Sequence, residues 1–199
     1  MSTVDRERTL HLALVGLGGV GSEFIQQLID SDGSYPMSVA AISNSRKMLL
    51  FTDDTTSFIR KWKAGGLDDP SAQPASLDGL LDALSDFARG KPGKVVLVDN
   101  SASQAVAETY PRFLDAGIHV VTPNKKAFSG SLDLYKRIMG SAADRALGRG
   151  VCYNEATVGA GLPIISTLKD LVNTGDKVGT LNRVESADVD VTVRVWLDR

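Results

Sequence analysis

This chain has little of several things, and each scarcity excludes a class of function. A single cysteine, Cys152, stands among 199 residues, so an internal disulfide is impossible. It lies in an apolar strand pattern with no histidine nearby, which reads as a buried thiol and not a nucleophile. The two histidines, His11 and His119, form no metal-ligand spacing. The formal net charge is only −2, so there is no basic footprint for nucleic acid and no polybasic membrane patch. No apolar run reaches transmembrane length, and the opening MSTVDRERTL lacks the apolar core of a signal peptide. No Ser-His-Asp set and no carboxylate pair stands out. These absences predict a soluble, cytoplasmic protein that binds neither nucleic acid nor membrane.

What is present is an alternation. Hydrophobic residues make up 43% and charged ones 23%, values of an ordinary globular chain long enough to bury a core. Apolar runs at Leu10–Val15, Met37–Ser43, Lys94–Asn100, Gly117–Thr122 and Gly150–Tyr153 read as strands. Helical periods at Val20–Asp30, Gln104–Ala116, Lys125–Met139 and Leu162–Asn173 follow four of them. Short strands alternating with helices predict an α/β fold, a doubly wound parallel sheet. In the first helix Val20, Phe24, Ile25, Leu28 and Ile29 share one face, as core packing requires. Pro163 suits the first turn of the last helix and Gly175 its terminator. Between Ser45 and Lys94 the pattern is less regular, with KAGGLDDPSAQP reading as a loop before a helix from about Leu77 to Ala88. At the far end SADVDVTVRVWLDR alternates like a strand, with nothing after it to cover its valines.

The segment HLALVGLGGVGSEFIQQLI carries the most specific chemistry. Gly16-Leu17-Gly18-Gly19-Val20-Gly21 fits G-x-G-x-x-G between a strand and a helix, the setting that the motif requires. Gly16 can make the tight turn, Gly18 lets backbone approach a pyrophosphate, and Gly21 allows close helix packing. The helix start offers N–H groups and partial positive charge to the phosphates. This predicts a Rossmann-type NAD(P)-binding domain. An NAD-selective site would place a carboxylate about 20 residues on, but the second strand ends in ISNSRK. Ser43, Ser45, Arg46 and Lys47 could instead take a 2′-phosphate, which favours NADP and leaves NAD open; a solvated basic turn is the plain alternative.

Three further stretches end strands, where open α/β sheets bind ligands. VVLVDNSAS places Asn100, Ser101 and Ser103 at the nicotinamide side, and either serine could also cap the next helix. VVTPNKKAF sets Pro123, Asn124, Lys125 and Lys126 at such a rim, where a lysine, Lys125 above all, could contact cofactor or substrate or support proton transfer as a catalytic group, or else be surface charge. In YNEATVGAGLPIIS, Glu155 precedes Val158-Gly159-Ala160-Gly161, whose glycines free carbonyls to turn inward. That loop suits a hard cation or a close cofactor approach, or else a tight linker with Glu155 in a salt bridge.

The stretches VGLGGVGSEFIQQL, VVLVDNSAS, VVTPNKKAFSG and NEATVGAGLPIISTLKDLVNTGDKV, in that order, resemble homoserine dehydrogenase in its fungal form. The resemblance covers about Leu10 to Val178. It implies NAD(P)-dependent interconversion of L-aspartate 4-semialdehyde and L-homoserine, in threonine, methionine and isoleucine biosynthesis, by a homodimer. Carried over, Gly18, Gly19 and Val20 lie in the dinucleotide loop, Ser101 lies near the nicotinamide, and Lys125 contacts the cofactor. Glu155, Val158, Ala160 and Leu162 would present oxygens to a structural monovalent cation such as sodium. The expected division is 1–155 as the NAD(P)-binding domain, 156–178 as the start of the substrate domain, and 179–199 as a divergent tail. After NTGDKV the family's substrate ligands and proton-transfer lysine are replaced by GTLNRVESADVDVTVRVWLDR. A truncated, weakly active or inactive enzyme is the expectation, and its rival is a non-catalytic NADP-binding protein that pairs with a full-length subunit. Aspartate-semialdehyde dehydrogenase is a lesser rival, since Cys152 lacks a nucleophile's setting.

Overall fold

A computed structural model describes residues 9–31, 36–51, 55–140 and 142–175. The predicted 179–199 tail and its alternating valines lie outside the described residues. Seven strands form one sheet: β1 (Leu10–Val15), β2 (Met37–Ser43), β3 (Lys47–Leu50), β4 (Gln73–Pro74), β5 (Lys94–Asp99), β6 (His119–Val121) and β7 (Cys152–Tyr153). The helices are α1 (Gly19–Asp30), α2 (Thr55–Lys63), α3 (Leu77–Gly90), α4 (Gln104–Asp115), α5 (Leu132–Met139), α6 (Ala142–Ala146) and α7 (Ile164–Asn173).

The sheet order is β4-β3-β2-β1-β5-β6-β7. From β2 to β7 every pairing is parallel, as the alternation predicts. The irregular segment supplies what the sequence leaves undefined: β3 folds back antiparallel on β2, β4 pairs antiparallel with β3, and α2 lies between them in the chain. The strands bury both faces, which is why they read as continuous apolar runs. Leu12 and Leu14 of β1 join Val96 and Val98 of β5 and Ile25 of α1 in one core. Ala13 and Val15 face the other way, with Leu97, Leu80, Val106, Tyr110, Phe113 and Leu134. So α1 and α2 cover one face and α3, α4 and α5 the other.

Three local expectations change. Val20 is 63% exposed and leaves the apolar face of α1 to Phe24, Ile25, Leu28 and Ile29. The helix expected from Lys125 to Met139 is two pieces, a 3-10 turn at Lys125–Ala127 and then α5, because the Ser131 hydroxyl caps a fresh start by accepting from Leu134 N–H. Pro163 is the N-cap of α7 and not a first-turn residue. Among the described residues no helix is long and apolar enough to cross a membrane.

Candidate functional site

The chain leaves β1 to one side and β5 lies on the other, so the sheet's switch point falls between these two strands, where open sheets hold ligands. The glycines there do two different jobs. Gly16 has φ of +86°, and a Cβ on it would stand 2.7 Å from Ser101 N and 2.9 Å from the Asn100 carbonyl carbon. A Cβ on Gly21 would stand 2.0 Å from the Gly16 carbonyl oxygen. These two let turn, helix and the neighbouring β5 loop close on one another. At Gly18 and Gly19 an added Cβ would meet nothing within 4 Å. Their smallness keeps space open beside the start of α1. Gly18 is the N-cap and offers no side chain to the first-turn N–H groups, whereas Ser76, Ser103 and Ser131 cap α3, α4 and α5. An uncapped helix start beside open space suits a phosphate.

A cleft of about 340 Å³ adjoins the turn, lined among others by Gly16, Ser43, Asn44, Ser45, Ser76 and Ser101. Of the residues expected from the sequence, Gly16, Ser43, Ser45, Ser101 and Ser103 meet here. Asn100 stands at the turn itself, its Nδ2 buried without a hydrogen-bond partner. That orphaned amide and the glycine cradle fit a nicotinamide dinucleotide held at this edge.

Ser45 and Arg46 form the exposed tip of the β2–β3 hairpin. Asn44 shapes it, its Oδ1 accepting from Arg46 N–H and Lys47 N–H, each at 2.8 Å. Lys47 begins β3, and its ammonium lies 3.1 Å from the Asp68 carboxylate. Neither Arg46 nor Lys47 lines the cleft. Ser76 and Asn44, which do, were not singled out from the sequence; the Ser76-Leu77-Asp78 start of an apolar helix was the available signal for the first.

Below the rim lies a buried polar cluster that sequence reasoning missed. Asp99, fully buried at the end of β5, accepts from Ser101 N–H at 2.8 Å, from the Tyr110 hydroxyl at 2.5 Å and from the Asn124 amide at 3.0 Å. Burial, with the Asp99 carboxylate beside it, holds the Tyr110 phenol well above its ordinary pKa, so it donates. Thr122 donates to the Asp99 carbonyl at 2.9 Å and accepts from Asn124 N–H at 2.8 Å. A carboxylate ending one apolar strand and Asn124 just past another were the traces of this in the sequence. Ser101 Oγ accepts from Ser103 N–H, and Ser103 caps α4, so both serines hold the loop and the helix start. Lys125 and Lys126 are exposed on the 3-10 turn just past Asn124, outside the cleft.

The Val158–Leu162 loop has its own geometry. Ala160 has φ of +53°, the one non-glycine residue with positive φ among those described, and Gly159 precedes it at +68°. The Glu155 carboxylate caps α7, accepting from Ile165 N–H at 2.8 Å and Ser166 N–H at 3.0 Å, in place of a salt bridge. Val158 is buried, whereas Leu162 is 61% exposed. Among the described residues no group of three or more His, Cys, Asp or Glu side chains could hold a metal, so a cation here would rely on main-chain oxygens. Cys152 is buried, which pushes its thiol up to about 12 and agrees with a structural role.

Residues 16–153 match the model of the homoserine dehydrogenase NAD-binding domain. The homoserine dehydrogenase of Emericella nidulans is 41% identical over 181 residues, 89% of this chain and 47% of that protein. That of Saccharomyces cerevisiae is 34% identical over 180 residues, 90% of this chain and 48% of that protein. The chain thus spans about half the length of the curated fungal relatives it matches. A crystal structure of a Candida auris protein of unknown function superimposes with TM-score 0.69 at 35% identity, over 86% of this chain and 45% of that one. A hyperthermophilic archaeal homoserine dehydrogenase in complex with NADPH shares the fold, with TM-score 0.58 at 21% identity over 80% of this chain and 48% of that one.

Proposed function

This chain belongs to the homoserine dehydrogenase family, and we propose that it forms the dinucleotide-binding part of that family's enzyme. The observation that carries this is the paired behaviour of the glycines, with Gly16 and Gly21 closing the turn and Gly18 and Gly19 leaving the helix start open. The bound nicotinamide would supply the hydride that interconverts L-aspartate 4-semialdehyde and L-homoserine. This chain's residues bind and orient. The uncapped N–H groups of Gly19, Val20 and Gly21 receive the pyrophosphate, and Asn100 and Ser101 border the nicotinamide. Ser45 and Arg46, at the hairpin tip beside the cleft, give the 2′-phosphate of NADP a hydroxyl and a guanidinium, and Lys47 is the weaker candidate because Asp68 holds it. Lys125 carries an exposed ammonium at the rim for cofactor and substrate.

The carbonyls of Glu155, Val158, Ala160 and Leu162 are the proposed ligands of a monovalent cation such as sodium. The left-handed pair at Gly159 and Ala160 supports this by re-aiming carbonyls along the loop. We divide the chain into a dinucleotide domain, 1–155, and the start of a substrate domain from 156. In support, α7 carries no buried residue, and Tyr153, Leu162 and Leu171 are 58%, 61% and 42% exposed, apolar surface that a further layer would cover. Pairing with a second subunit is the family's assembly and is carried over on the same footing, as is a cytoplasmic setting for the lone thiol.

The test is a titration of the chain with NADPH and NADH followed by nicotinamide fluorescence, with L-homoserine turnover assayed on the same sample. Binding of NADPH in preference to NADH, with little or no turnover, is the expected outcome. Failure to bind either nucleotide overturns the proposal. Turnover at an ordinary enzyme's rate would show that the chain is catalytically complete.

A further inference from the structure

Asp99 is fully buried at the end of β5, and the partners of its carboxylate are all neutral donors. Such a group is costly to bury, because neutral donors only partly replace water around a charge. Its placement shows what it could do. One oxygen accepts from Ser101 N–H, on the loop after β5. The other accepts from the Asn124 amide, on the loop after β6, and from Tyr110 on α4. Asn124 then continues the chain of contacts: its Oδ1 accepts from Lys126 N–H at 3.1 Å, fixing the turn that carries Lys125, and its amide also reaches the Ser103 carbonyl at 3.0 Å.

We infer that Asp99 is a positioning residue, a buried fork that holds the Ser101 loop in register with the Lys125 turn. The inference rests on the dinucleotide reading above, and it deepens that reading by naming what aligns the two halves of the nicotinamide rim. Only a forked acceptor can do this. An asparagine at position 99 can keep the bond from Ser101 N–H, but its NH₂ then faces the NH₂ of Asn124, donor against donor. Asn124 cannot relieve this by turning over, because its oxygen would then stand 3.0 Å from the Ser103 carbonyl and its NH₂ would face Lys126 N–H.

The experiment compares the chain with its Asp99→Asn variant, measuring affinity for NADPH and for 2′,5′-ADP, with thermal melting in parallel. NADPH contacts the rim, whereas 2′,5′-ADP has no nicotinamide and reports only the adenosine side. Asp99→Asn should weaken NADPH about tenfold and leave 2′,5′-ADP within about twofold. Equal weakening of both ligands, or no weakening of NADPH, overturns the inference. If Asp99→Asn does not fold, Asn124→Ser, which keeps the carboxylate and two of its donors, must give the same split. If the unaltered chain binds neither ligand, the dinucleotide reading fails separately, and amide resonances decide the positioning role. Asp99→Asn must then shift both Ser101 and Lys126; a shift of Ser101 alone overturns it.

Discussion

Alanine at each of the four loop glycines should separate folding from binding. At Gly21 the new methyl carbon would lie 2.0 Å from the Gly16 oxygen, which must retreat by about 1.4 Å to reach ordinary contact at 3.4 Å. Both partners are backbone, so the strain cannot be relieved by a rotamer. Overpacking of this kind costs about 1–3 kcal/mol, and the better helix propensity of alanine returns at most about 1 kcal/mol. At Gly16 the methyl would meet Ser101 N at 2.7 Å, in a backbone with φ of +86°. The left-handed penalty of about 1–2 kcal/mol is added there to the overpacking. Gly16→Ala should therefore lose about 3 kcal/mol and melt roughly 6–12 °C lower, with Gly21→Ala somewhat less affected. Gly18→Ala and Gly19→Ala meet nothing within 4 Å and should melt within about 2 °C of the unaltered chain. Those same two should bind NADPH at least about tenfold more weakly, because the methyl occupies the approach of the pyrophosphate. Differential scanning fluorimetry and fluorescence titration on one set of samples read both quantities. Unchanged melting of Gly16→Ala and Gly21→Ala would refute the packing argument, and unchanged NADPH affinity of Gly18→Ala and Gly19→Ala would refute the placement of the phosphate.

Other outcomes are open to direct measurement. Arg46→Ala should weaken NADPH several-fold and leave NADH unchanged in parallel titrations; equal effects on both would remove Arg46 from the 2′-phosphate site. Ser103→Ala removes the acceptor for Val106 N–H and should cost about 1 kcal/mol in urea unfolding. The native Cys152 thiol should resist a disulfide reagent at pH 8 and react at once in denaturant. Its pKa lies above the ordinary 9.0, pushed up to about 12 by burial, so the native state holds the proton more tightly than the unfolded state. The stability contributed there is present below 9 and falls as pH rises from about 9 to about 12, and unfolding curves across that window should show the decline. His119 acts at the other end of the scale. Burial, then nearby Lys94, lowers its pKa below 6.5, so the unfolded state binds the proton more readily and stability should fall as pH drops below that value. His119→Gln should flatten that slope.

How much could be read without the structure differs from element to element. The strand β1, the turn and α1 were legible because apolar period, glycine spacing and helix onset all point to one local geometry. The β5 end was equally clear, since a four-valine-or-leucine run is buried on both faces. The antiparallel strands β3 and β4 were not legible. They are only four and two residues long, and their pairing, β3 on β2 and β4 on β3, is set by the neighbouring strand and not by any period of their own. Val20 looked like core by its helical position, yet it stands in the first turn of α1 and is exposed, whereas Phe24, Ile25, Leu28 and Ile29 reach the core.

The sequence by itself determined the parallel α/β alternation, the glycine turn, the serine cap of α4 and the thiol's burial, because each is set by the pattern of residues close together in the chain. Only the tertiary structure decided which glycines are required by packing and which leave a space open, since that depends on Ser101 and Asn100, far along the chain. The tertiary structure alone also turned Glu155 into the cap of α7 and joined Asp99 to Tyr110, Thr122 and Asn124. A carboxylate's role is set by the donors that surround it once water has gone, and the fold brings those donors from separate elements.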